Sequence, residues 1–206
     1  MVGKMKVAIT PRFYENPPDR FLCVQKKYYS FFGQYGYHIY LIPYMGITPS
    51  DYLDELKPDA VVFAGGYRLY TDEIEKFEAT VLEVALNKKL PILGICCGMW
   101  TINYYFNGSM GYDESHDWDS SQPFPNTHLV TAIDLVEKRT YMVNSYHKKV
   151  ISQLGNGLTS FMIAEDNLVE GVYNLDKKII GVQFHPESPG VDDSLIKQIM
   201  KKFKEL

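Results

Sequence analysis

Three cysteines in 206 residues, two of them adjacent, exclude a disulfide framework and leave free thiols, as in a reducing compartment. No pair of cysteines or histidines stands at ligand spacing, so no metal centre is expected and no cofactor is implied. No apolar run approaches the ~20 residues needed to span a bilayer. The first residues lead into a five-residue strand-like run, too short for a signal-peptide core, so cytoplasmic residence is expected. A net charge of −4 gives no electrostatic footprint for nucleic acid, and the only basic cluster, Lys201-Lys202-Phe203-Lys204, reads as the solvent face of a last helix. Arginine is scarce, with four in the chain. What is present is ordinary globular composition, 46% apolar and 22% charged, which excludes disorder and fits one domain over residues 1–206.

The first half alternates short apolar runs with amphipathic stretches. Strands are expected at 6–10, 38–42, 59–64 and 91–95, and helices at 22–34, around 52–56, at 72–87 and at 99–106. Strands apolar almost throughout, separated by such helices, indicate an α/β fold with an open, mostly parallel sheet flanked by helices. Residues 107–127 are polar and rich in Asp, Ser, Pro and Asn, which predicts a loop or flap. Shorter runs follow at 129–135, 140–143, 161–164, 168–173 and 179–184, and a helix over 194–203 closes the chain.

Two segments carry the chemistry. In Leu93-Gly94-Ile95-Cys96-Cys97-Gly98 an apolar strand delivers a thiol between glycines, at the junction with a helix. Ligands of open α/β sheets bind beyond the carboxyl ends of strands, and the arrangement parallels the Gly-x-Ser-x-Gly elbow with sulfur in place of oxygen. The helix N-terminus favours thiolate. The backbone N–H of Cys97 and an N–H of the Gly65-Gly66 turn are candidate oxyanion donors. In Gly181-Val182-Gln183-Phe184-His185-Pro186-Glu187 another apolar strand delivers a histidine and, two residues on, a carboxylate on the same side. Nucleophile, base and orienting carboxylate are the parts that acyl transfer needs, which makes Cys96, His185 and Glu187 the candidate catalytic residues. Cys23 and Cys97 read as structural thiols. Arg12 and Arg68 sit just past strand ends, where a guanidinium fits a carboxylate or phosphate.

These motifs resemble the two signatures of the class I glutamine amidotransferase-like superfamily. A third stretch, Tyr141-Met142-Val143-Asn144-Ser145-Tyr146-His147, resembles the Val-Asn-Ser-x-His segment of its γ-glutamyl-γ-aminobutyrate hydrolase and γ-glutamyl peptidase branch. The resemblance spans nearly the whole chain. It implies a flavodoxin-like fold with an extra antiparallel portion in the second half, and a γ-glutamyl thioester formed on Cys96. It also implies an oxyanion hole at Gly66 and Cys97, and binding of the glutamyl head by Asn144, Ser145 and Tyr146. His147 is left without an assigned role. Trp100 stands where the family has Gln four residues after the nucleophile, and either packs under the site or reshapes it. One member of the branch removes glutamate from a γ-glutamyl-CDP-amidate in capsular phosphoramidate synthesis. Arg12 and Arg68 at the rim would suit such an anionic leaving group, or would hold the glutamyl carboxylate. Two further readings stand beside hydrolysis of a small γ-glutamyl substrate: a glutaminase chain feeding ammonia to a separate synthetase, and a non-catalytic binding module. No nucleic-acid or membrane partner is implied, and a homo-oligomer is compatible with the sequence.

Overall fold

The computed structural model of the protein describes residues 5–44, 46–66, 71–116 and 126–206. The chain order is β1 Met5–Ile9, β2 Arg12–Asn16, β3 Asp19–Cys23, α1 Lys26–Gln34, β4 Tyr37–Leu41, α2 Pro49–Leu56, β5 Ala60–Phe63, α3 Asp72–Asn87, β6 Ile92–Ile95 and α4 Cys97–Tyr105. It continues with β7 Ser109–Tyr112, a 3-10 turn at Glu114–His116, β8 Asn126–Ala132, β9 Thr140–Ser145, β10 Lys149–Gln153, β11 Thr159–Ala164, β12 Val169–Asn174, β13 Ile179–Val182 and α5 Asp193–Glu205.

Nine strands form one sheet in the order β4-β1-β5-β6-β13-β12-β11-β8-β9. The pairings from β4 to β13 are parallel and those from β13 to β9 antiparallel. The sheet is thus mixed, with a parallel half and an antiparallel half of nearly equal weight. Strands β5, β6 and β13 are fully buried, as strands covered on both faces must be.

Local sequence explains the flanking helices. Thr71 caps α3 by accepting the Ile74 N–H, three acids occupy the first turn, and Ile74, Phe77, Val81, Leu82 and Ala85 form the buried face. On α5 the buried stripe is Leu195, Ile196, Ile199, Met200 and Phe203, with the lysines turned outward. Helix α4 lacks such a stripe. It packs against β5, β6 and β13 and is buried from Cys97 through Asn103.

Two expectations are corrected. The predicted helix over 22–34 begins only at Lys26. Before it, β2 and β3 pair as an antiparallel hairpin (Arg12 opposite Cys23, Asn16 opposite Asp19) whose Phe21 and Leu22 are exposed rather than part of a helix face. The polar stretch 107–127 is not all loop, because β7 pairs with β10, a strand that the sequence did not announce. No helix among the described residues is long and apolar enough to cross a membrane.

Candidate active site

Adjacent parallel strands bring the functional segments to one rim. Phe63 pairs with Gly94 and Val182 with Ile95, so β5, β6 and β13 end side by side. Beyond β5 lies the Gly65-Gly66 turn, beyond β6 Cys96, and beyond β13 the Gln183–Glu187 segment. The Cys96 N–H donates to the Val182 carbonyl at 2.8 Å, which ties the nucleophile's backbone to the strand that carries the base.

Cys96 is a sharp elbow. Its φ of 51° and ψ of −106° put a non-glycine residue at positive φ, at the N-cap of α4. Such a conformation costs on the order of 1–3 kcal/mol and persists only where its surroundings enforce it. Gly98 lets α4 approach β5, since a Cβ there would strike the Phe63 carbonyl. Gly65 makes room for the His185 ring in the same way, and its N–H donates to the buried Tyr28 hydroxyl at 2.8 Å.

His185 and Glu187 are both buried, and His185 Nδ1–H donates to Glu187 Oε1 at 2.6 Å. Lys27 on α1, which the sequence reading missed, places Nζ 3.3 Å from the same carboxylate oxygen and donates to Ser188 Oγ at 2.5 Å. Burial opposes ionisation of Glu187, but His185 and Lys27 overcome it and hold the carboxyl at about 2. Burial would likewise lower His185, but Glu187 and Cys96 raise it to about 9. Burial pushes the Cys96 thiol up. The Cys97 thiol, the His185 charge and hydrogen bond and the Gly66 N–H outweigh it and bring Cys96 down to about 5. Both shifts favour a thiolate beside an imidazolium. Cys97, 4.0 Å away sulfur to sulfur, is driven the opposite way, well above its ordinary value, by burial and by the neighbouring thiolate.

Trp100 packs under the site, one of the two alternatives left open by the sequence. Its Nε1–H donates to Gln183 Oε1 at 2.9 Å, and Gln183 Nε2 points at Cys96 Sγ from 3.8 Å. An indole nitrogen is only a donor, so this contact fixes the amide's orientation and turns its N–H groups toward the sulfur. Gln183 lay inside a recognised motif, but nothing in the sequence marked it as a thiolate donor.

The residues expected to hold the glutamyl head divide. Asn144 is fully buried and spent on the catalytic loop. Its amide nitrogen donates to the carbonyls of His185 and Pro189, both at 2.9 Å, and its Oδ1 accepts the His185 N–H at 2.8 Å. Ser145 is buried and donates to the His116 carbonyl. Their side chains position backbone. Tyr146 is half-buried, with its ring edge-on to His185 at 5.1 Å and Lys27 over its face at 5.5 Å.

Arg12 is corrected outright. It is 3% exposed, pairs with Glu78 of α3 at 2.7 Å, and donates to the Pro11 and Ala64 carbonyls. Glu78 also accepts from Thr10 and Thr101, and Thr10 Oγ1 accepts the Ala64 N–H at 3.1 Å. The buried carboxylate of Glu78 draws the guanidinium inward, beneath the turn that leads to Gly65-Gly66. Arg12→Met should therefore destabilise the fold by about 3–5 kcal/mol in equilibrium urea unfolding, because Glu78 is left buried and uncompensated. Preserved stability with a loss of activity only on anionic substrates would return Arg12 to the substrate. Arg68 lies outside the described residues.

The family model for glutamine amidotransferase class-I matches residues 24–201. The glutamine amidotransferase-like protein YvdE of Lactococcus lactis is 34% identical over 65% of this chain, a match that spans 61% of that protein's length. The gamma-glutamyl-CDP-amidate hydrolase of Campylobacter jejuni is 29% identical, over 71% of this chain and 70% of its own. A solved GMP synthase-type protein of Thermoplasma acidophilum superposes with a TM-score of 0.73 at 19% identity, over 98% of this chain and 95% of its own, which shows the same fold.

Proposed function

The chain belongs to the class I glutamine amidotransferase family, and on that premise we propose that it hydrolyses a small γ-glutamyl amide to L-glutamate and a free amine or amidate. The observation that carries the reading is a buried thiol at a positive-φ elbow, tied through its N–H to the strand that leads to His185, whose Nδ1–H donates to the buried Glu187 carboxylate at 2.6 Å. The thiolate of Cys96 attacks the γ-carbonyl carbon, and the N–H groups of Gly66 and Cys97 receive the developing oxyanion. The imidazolium of His185 gives its proton to the leaving nitrogen as the C–N bond breaks, leaving a γ-glutamyl thioester and neutral imidazole. Water then yields a proton to His185 and its oxygen attacks the thioester carbon. Departure of the Cys96 thiolate releases glutamate and restores the ion pair. Glu187 holds the imidazole's tautomer throughout, with Lys27 anchoring the carboxylate.

The similarity to the Campylobacter hydrolase supports a nucleotide amidate as the substrate, with γ-glutamyl-γ-aminobutyrate as the neighbouring chemistry in the branch. Tyr146, half-buried beside His185, supports contact with the substrate. The burial of Arg12 removes one of the two cations expected to meet an anionic leaving group. The proposal therefore rests on the glutamyl half.

The test is direct. Purified protein is incubated with γ-glutamyl-CDP-amidate, γ-glutamyl-γ-aminobutyrate, a γ-glutamyl anilide and glutamine, while glutamate release is measured and the acyl-enzyme sought by intact mass. Turnover of a γ-glutamyl amide by the chain alone, with a γ-glutamyl adduct on Cys96, is the expected result. Glutamine hydrolysis that appears only when a synthetase is added would assign the chain to ammonia supply instead. Binding without turnover of any of the four would make it a binding module.

A further inference from the structure

Away from the thiol, four side chains converge on one buried point with no hydrogen bonds between them. Glu170 of β12 is fully buried, and neither carboxylate oxygen has a hydrogen-bond partner. Around its Oε1 stand His147 Nε2 at 3.6 Å, His128 Nε2 at 3.7 Å and His116 Nδ1 at 3.8 Å, all three nitrogens buried and equally unpartnered. These separations exceed the ~2.7–3.2 Å of an N–H···O bond. For His116, His128 and Glu170, whose ligand atoms all lie within 4.8 Å of one another, they approach the spacing around one metal ion, about 3.4 Å when each ligand lies ~2.0–2.2 Å from a tetrahedral metal, and His147 falls outside that set.

The far side of the histidines carries the same message. His116 Nε2 is engaged by Asp166 Oδ2 at 2.7 Å, and His147 Nδ1 by the Lys149 carbonyl at 3.1 Å. Both partners are acceptors, so in each neutral ring the proton sits on that outer nitrogen and the inner nitrogen presents a lone pair to the carboxylate. Lone pairs facing a buried carboxylate repel unless a cation lies between them. Orientation of a histidine by an outer carboxylate or carbonyl is the support that metal-ligating imidazoles use.

We propose that His116, His128 and Glu170, backed by His147, form a site for a divalent transition metal of the zinc class. Two imidazoles and one carboxylate in a buried setting suit zinc with water in its fourth position. The charges balance, since a dication is met by Glu170 and by Asp166 behind His116. The ion would join the Glu114–His116 turn, β8 and β12. The Glu170 carbonyl accepts the Gln183 N–H at 2.9 Å, so the site braces the strand wall that ends in His185. The sequence predicted no metal because the three histidines lie far apart along the chain. The topology brings them together.

The experiment uses the full-length protein, purified without a metal-binding tag, stripped with a chelator and titrated with Zn²⁺ or Co²⁺. Expected are one equivalent bound per chain, tetrahedral ligand-field bands with Co²⁺, no sulfur-to-metal charge transfer, and a higher Tm in the loaded form. Asp166→Asn should weaken binding about 10–100-fold, with His128→Ala and Glu170→Gln weaker still and Cys96→Ala unchanged. His128 is the least buried of the four, so His128→Ala, checked by circular dichroism, keeps the test independent of misfolding. The proposal is overturned if the folded wild type takes up neither ion, if folded His128→Ala binds as wild type does, or if uptake is lost with Cys96→Ala. None of these outcomes bears on the hydrolase reading, which is tested by turnover.

Discussion

Cys96→Ala is expected to reduce kcat/KM on any accepted γ-glutamyl substrate on the order of 10⁴–10⁶-fold while the urea midpoint stays near wild type. The thioester route requires the sulfur, and no other described thiol replaces it. Cys97 lies beside it, sulfur to sulfur at 4.0 Å, but burial and the neighbouring sulfur push its thiol well above its ordinary value. Cys97→Ala removes only a 4.0 Å thiol contact and keeps the backbone N–H, so its loss should stay within about tenfold. Full activity in Cys96→Ala with inactivity in Cys97→Ala would exchange the two assignments.

Glu187→Gln should lower kcat about 10³–10⁴-fold, by analogy with the loss of the orienting carboxylate in a Ser-His-Asp triad. It should also reshape the pH profile. In the wild type the reactive pair exists between two limits. Below about 5 the thiolate takes up a proton, and above about 9 the imidazolium gives one up, so alkylation by iodoacetamide and acylation should both plateau between these limits. The carboxylate holds His185 up, and His185 in turn holds Cys96 down. Replacing Glu187 with a neutral amide must lower the upper limb and raise the lower one, narrowing the plateau from both sides. The alkylation profile separates this role from simple packing, because a merely structural carboxylate would leave both limbs in place.

Much of this was legible in the chain. The elbow could be read because Gly94, Cys96 and Gly98 sit where an apolar run meets a helix, and the base and its partner because His185 and Glu187 follow another. The helix over 72–87 was legible to the residue, since its apolar spacing, its Thr71 cap and its acidic first turn agree. The hairpin at 12–23 was not. Its strands are short, its second strand is largely exposed, and without a buried face there is no periodic signal. Arg12 was misread because a strand end near the site says nothing about direction, and Glu78, which decides it, lies 66 residues away. Gln183 needed the Trp100 indole to give its amide a direction. The histidine cluster was invisible for a related reason. Ligand spacing detects sites built on one helix or hairpin, whereas His116, His128, His147 and Glu170 come together only across the antiparallel half of the sheet.

The backbone at Cys96 also sets folding against chemistry at a single position. A glycine there would relieve the strained dihedral angles and yield a chain that folds better and catalyses nothing. A side chain kept in that conformation records a demand that stability alone would never make.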